Sequence, residues 1–180
     1  MPPTPISADV ASARRAKPVA ERRLRRSYES GHRPKFLVVV DEASDCDKAV
    51  YYAARRAVRI GAKVILLRVI EPSYGEIGWL AITDLMRWEA QELLNKYVQR
   101  AQDVARISPE ALACEGDPAQ QILNLIQDDE DIAILVLAAG STEIGPGALV
   151  SSLARTAGTY PIPVVIVPAH LSEKELDALS

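Results

Sequence analysis

The sequence predicts an α/β fold: an open, doubly wound, five-stranded parallel sheet with helices on both faces. Three observations carry this prediction. Between residues 35 and 168, apolar runs of strand length alternate with segments whose apolar residues recur at helical spacing. The strongest runs, FLVVV at 36–40 and IAILVLA at 132–138, are apolar at every position, as in strands covered on both faces. Each return from one run to the next is long enough for a right-handed crossover through a helix. Composition agrees: 48% of residues are hydrophobic but only 5% aromatic, with a single Phe, so the core is aliphatic.

The elements follow in order. The first strand ends at Asp41. A helix is expected over 44–60, capped by Ser44, with Asp45 and Asp47 in the first turn where the helix dipole favours acids. Ala49, Val50, Ala53, Ala54, Ala57 and Val58 form its apolar stripe, and Gly61 ends it. Residues 63–70 (KVILLRVI) are the second strand. A loop over 71–80 containing Pro72, Gly75 and Gly78 leads to a long helix over 82–104, with a stripe of Leu85, Trp88, Glu89, Leu93, Tyr97 and Val98. Trp88 is expected to pack this helix against the sheet or a second copy, and Trp79 to anchor the loop, cover a pocket mouth or stack on a base. Residues 111–115 are a weaker third strand. Asp117-Pro118 then opens a helix as N-cap and first-turn proline, carrying Ile122, Leu123, Leu125 and Ile126. After the fourth strand come a glycine-rich loop over 140–147 and a short helix over 148–156. The fifth strand, 163–168, is bracketed by prolines, and Ser172 with Glu175 fits a capping box for a terminal helix.

Charge divides the chain. Residues 1–35 hold nine basic residues and three acids, whereas the remaining 145 hold 12 and 21. The expected organisation is a disordered basic tail over 1–34, a domain over 35–168 and a short C-terminal helix over 169–180. The tail has too little apolar content to offset its chain entropy. Within it 21–27 can form a short basic helix, and an arm for an anionic partner or a targeting presequence are sharper readings. The acidic body is a poor nucleic-acid binder. No apolar run approaches a membrane span and no signal-peptide core is visible, so a cytoplasmic protein is expected. Cys46 and Cys114 read as ordinary buried or half-buried thiols.

Sheets of this kind bind ligands beyond the carboxyl ends of their strands, where the strand order reverses. That places Asp41 and Glu42, then Val69, Ile70 and Glu71, then Ala138, Ala139, Gly140 and Ser141 at the expected site. The loop through Gly145 and Gly147 enters a helix holding Val150, Ser151 and Ser152. Such a loop can present backbone N–H groups to a phosphate, or can simply be the turn that starts the helix. Asp41 can accept from a ribose or hold a metal through water, or merely bond to loop amides.

Four stretches, KFLVVVDEASDCDKAVYYAARRA, AKVILLRVIEP, AILVLAAGSTEIGPGALVSSLA and PIPVVIVP, together resemble the universal stress protein family over residues 35–168. The resemblance implies a strand order of 3-2-1-4-5 and, commonly, a homodimer joined through the fifth strand, here Val164, Val165, Ile166 and Val167. It implies binding of ATP or AMP with magnesium. Asp41 matches the Asp after the first strand, Val69 the backbone that meets adenine, and Gly140, Ser141, Gly145, Gly147, Ser151 and Ser152 the phosphate loop. The sequence departs from the family at three points. Val150-Ser151 stands for Gly-Ser, Ala138 or Ala139 for the first glycine, and Glu143 where a basic residue is frequent. The expected function is therefore a nucleotide-binding stress-response or signalling protein, with a nucleotide-free interaction protein of the same fold as the alternative.

Enzymatic signatures are missing: there is no Ser-Gly-Gly loop after the first strand, no His-x-x-His and no Gly-x-Ser-x-Gly elbow. His32 and His170 fall in the tail and beyond the last strand. No catalytic residue is assigned, and at most slow ATP hydrolysis is expected. A phospho-receiver domain would need a Lys after the fifth strand, where Pro168 stands. Zinc-finger spacing of Cys and His is also missing.

Overall fold

A computed structural model describes residues 24–74, 80–140, 150–151, 153 and 160–180. The FLVVV run is the centre of the molecule. Strand β1 (Lys35–Val39) and the following Val40 bury both faces, and Phe36, Leu37, Val38 and Val40 are fully enclosed. Beside β1 run β2 (Lys63–Ile70) and, after a hairpin of β3 (Ser73–Tyr74) and β4 (Leu80–Ala81), the edge strand β5 (Glu110–Glu115). On the other side lie β6 (Ile132–Ala139) and β7 (Val164–Pro168). The order β5-β2-β1-β6-β7 is all parallel, so the sheet strands in chain order stand 3-2-1-4-5, as expected. Register is central through Val38, which lies opposite Leu66 on one side and Val136 on the other.

Alternation sorts the sheet into two core layers. Phe36, Val38, Val40, Val64, Leu66 and Val136 face α1 (Cys46–Ile60), α2 (Asp84–Ala105) and the terminal α4 (Glu173–Leu179). Leu37, Val39, Ile65, Leu67, Leu135 and Leu137 face α3 (Pro118–Asp128) and the buried Val150, Leu153, Tyr160 and Ile162.

Several helix boundaries differ from expectation. Asp45, not Ser44, is the N-cap of α1, and no side-chain cap bond forms. The first amides are met by the backbone instead: Cys46 N–H donates to Ala43 C=O at 3.2 Å and Asp47 N–H to Ser44 C=O at 3.2 Å. Gly61 ends α1 in the left-handed region at φ 69°, where a Cβ would be strained. Val58 belongs to the exposed side rather than to the stripe.

Helix α2 is capped by Thr83 and buries Ala90, Leu94, Tyr97 and Ala101, a spacing of four, three, four. At about 100° per residue, Leu85 and Trp88 fall on the opposite side of that line. Both are 61% exposed, so Trp88 does not pack α2 against the sheet. Trp79 lies outside the described residues. Helix α3 begins as expected, with Gln120 N–H donating to the Asp117 carboxylate at 2.9 Å. The capping box of Ser172 and Glu175 forms at α4, whose Leu176 is buried.

The basic segment ahead of β1 is bound to the domain where it is described. Residues 24–27 are not helical. Arg25 Nη1 donates to the C=O groups of Ile126 and, at 2.9 Å, Asp129, at the carboxyl end of α3. Arg26 N–H donates to Glu130 C=O at 3.1 Å, Ser27 is buried, and His32 Nδ1 meets Asp131 Oδ1 at 2.6 Å. This strap is the chief departure from the solvated tail expected over 1–34. No described helix is long and apolar enough to cross a membrane.

Candidate functional site

The parallel register brings the carboxyl ends of β2, β1 and β6 side by side. β1 is the point of divergence: the chain proceeds outward to β2 and β5, then returns to β6 and β7. The last bond of β1 to β2 is Val40 N–H to Leu67 C=O, at 2.9 Å. Beyond it the chain leaves the ladder at Asp41, at the strand-order reversal where sheets of this kind bind ligands.

Asp41 is half-buried and firmly held. Its Oδ1 accepts from Ala43 N–H at 2.8 Å and from the Cys46 thiol at 3.1 Å. In return, Asp41 N–H donates to Cys46 Sγ at 3.4 Å. Burial pushes the Cys46 thiol up to about 12, so it stays protonated and can act as a donor toward the carboxylate. From α2, the Tyr97 hydroxyl donates to Ala43 C=O at 3.3 Å, and burial pushes that phenol upward as well. Oδ2 of Asp41 makes no hydrogen bond with a described residue. Glu42 is exposed and paired with Arg68 of β2.

Val69 stands next to the carboxyl end of β2. Its side chain is buried beneath the sheet. Ile70 C=O accepts from Gly116 N–H on the β5 side at 3.0 Å, and Leu67 C=O faces β1. By alternation the peptide groups of Val69 are turned toward β1, past the point where β1 has left the ladder. Gly140 follows Ala139, which lies opposite Pro168 at the end of β6. The structure thus gathers Asp41, Val69 and Gly140 at one edge of the sheet. Ser151 is helical and exposed, next to the buried Val150. Ser141, Gly145, Gly147 and Ser152, like Glu143, lie outside the described residues.

Cys46 and Tyr97 were not among the expected site residues, though both hold the Asp41 loop. The available signal was spacing: Cys46 stands five residues after Asp41, where the first turn of α1 passes beneath the strand end. Among the described residues, no group of three His, Cys, Asp or Glu side chains could hold a metal. Two open grooves of about 500 and 450 Å³ lie at the opposite pole, beside Pro161–Pro163 and beside Arg33, Lys63 and Glu110. Neither includes a candidate residue.

Comparison with known proteins agrees with this architecture. The profile of the universal stress protein family matches residues 32–168. Similar solved structures include the universal stress protein UspA from Lactobacillus plantarum, at 19% identity and a TM-score of 0.61, covering 74% of this chain and 97% of that one. A universal stress protein from Archaeoglobus fulgidus in complex with dAMP is 18% identical with a TM-score of 0.53, over 74% and 97% of the two chains. A family protein from Arabidopsis thaliana with AMP bound is 19% identical with a TM-score of 0.53, over 75% and 91%. No curated protein matches the chain by sequence.

Proposed function

The chain belongs to the universal stress protein family, and on that premise we propose that it binds an adenine nucleotide, AMP or ATP, at the carboxyl ends of β1, β2 and β6, as a stress-response or signalling protein. The observation that carries the reading is the state of Asp41. One carboxylate oxygen is fixed by two donors, and the other makes no hydrogen bond with a described residue. A carboxylate so held suits the hydroxyls of a ribose, whose two donors a free acceptor can meet. Next to it, the peptide edge of Val69 offers a donor and an acceptor to a flat base. Crystallised relatives hold AMP-type ligands, which fits this chemistry.

The phosphates would lie toward Gly140, Ser141, Gly145, Gly147, Ser151 and Ser152. Val150, in the place of a glycine of ATP-binding relatives, is 5% exposed and packs in the core with Leu153, so its side chain is directed away from a ligand. Magnesium would enter with the phosphates, held by their oxygens and water rather than by a protein cage. The protein would act in the cytoplasm, by binding rather than turnover. A second copy would add along β7, a sheet edge where Ile166 is 44% exposed.

A nucleotide-free interaction protein is the competing reading, favoured by the exposed Leu85 and Trp88 on α2. Calorimetric titration with AMP and with ATP plus magnesium separates the two. The proposal expects binding that Asp41→Ala and Ser151→Ala each weaken about tenfold, in line with the loss of a charged or directed hydrogen bond. Absence of heat at millimolar ligand from folded protein would leave the interaction reading.

A further inference from the structure

Cys46 lies at the first position of α1, directly beneath the end of β1, and is 3% exposed. It makes two bonds of opposite sense to one residue. Its thiol donates to Asp41 Oδ1 at 3.1 Å, and its sulfur accepts from Asp41 N–H at 3.4 Å. The pair closes a small ring across the strand-to-helix turn. Ala43 N–H meets the same oxygen at 2.8 Å, and the carbonyl of Ala43 is tied to Tyr97. Without the thiol, Oδ1 would keep a single donor, and the carboxylate could turn about its side-chain torsion and exchange its oxygens.

We propose that Cys46 is a positioning residue of the nucleotide site, fixing the Asp41 carboxylate so that its other oxygen accepts from the ribose hydroxyls and so makes the site selective for a ribose over a sugar without them. The proposal rests on the nucleotide reading above. It assigns the thiol neither nucleophilic nor redox chemistry: buried and protonated, it works as a donor and an acceptor of hydrogen bonds.

The test is a titration of AMP and of its 2′,3′-dideoxy analogue onto the whole protein, onto Cys46→Ala and onto Cys46→Ser. The dideoxy analogue reports an intact base and phosphate site without the ribose hydroxyls. Wild-type protein is expected to favour AMP. Cys46→Ala should weaken AMP about fivefold, less than Asp41→Ala, and leave the analogue unchanged, since the charged acceptor remains and only its orientation is lost. Cys46→Ser, whose hydroxyl can both donate and accept, should return AMP binding to within about twofold of wild type.

Equal weakening of both ligands by Cys46→Ala would show a merely structural thiol and overturn the proposal. So would unchanged AMP binding, or a folded Cys46→Ser that fails to restore it. Wild-type protein that binds both ligands equally would also overturn it, while leaving the nucleotide reading intact. Wild-type protein that binds neither would remove the nucleotide reading, and this proposal with it.

Discussion

His32 and Asp131 meet at 2.6 Å although 99 positions separate them. The contact joins the segment ahead of the sheet to the start of β6, and it does not stand alone. Lys35 Nζ reaches Asp129 Oδ2 at 2.6 Å, and Arg25 caps the carboxyl end of α3 through the carbonyls of Ile126 and Asp129. The basic segment thus neutralises the acidic turn 128–131 and supplies donors to orphan helix carbonyls.

Replacing Arg25 and His32 together by Ala should therefore lower stability by roughly 2–4 kcal/mol, the scale of the three half-buried hydrogen bonds lost. Urea unfolding measures it: the midpoint should fall with the slope unchanged. An unchanged midpoint would mean that the strap lies on the domain without supporting it.

The Cys46 thiol gives a signature at high pH. Its ordinary value near 9 is raised by burial to about 12 in the folded chain. The folded protein therefore keeps a proton that the unfolded chain releases between these values. The thiol's contribution is complete below about pH 9 and is lost as pH rises toward 12, by at most about 1.4 kcal/mol per pH unit. Tyr97, also shifted upward by burial, adds to the same slope. Stability measured at pH 8 and 10.5 should fall less steeply in Cys46→Ser than in wild type. Identical slopes would contradict the assignment.

Val150 separates core from ligand. Restoring the family glycine by Val150→Gly should cost roughly 3 kcal/mol, from lost burial of the side chain and added backbone freedom. It should not raise affinity for AMP by more than about twofold. Thermal unfolding and titration at a temperature where the variant is folded give both readings. A large gain in affinity would place the Val150 side chain against the phosphates and not in the core.

Much of this fold is legible in the residues, for identifiable reasons. β1, β2 and β6 are apolar at successive positions, which only a doubly covered strand requires. Asp117-Pro118 and the Ser172–Glu175 box mark helix starts because their side chains meet orphan amides locally. The stripe of α2 is not legible in the same way. The large residues Leu85 and Trp88 suggest one face, but the helix approaches the sheet through the small Ala90 and Ala101 around Leu94 and Tyr97. The strap is hidden for another reason: its partners lie about a hundred positions away, beyond any local pattern. At the site, Asp41 and Val69 follow from topology. The Cys46 clamp does not, because a thiol taken alone carries no sign of what lies above it.

The most direct measurement is the change in backbone amide NMR shifts on adding AMP to the isotope-labelled protein. The account predicts that the largest changes fall on Asp41, Ala43, Val69 and Gly140, with 24–34 and the groove beside Pro161–Pro163 unmoved. Changes confined to that opposite pole, or none at saturating AMP, would contradict it.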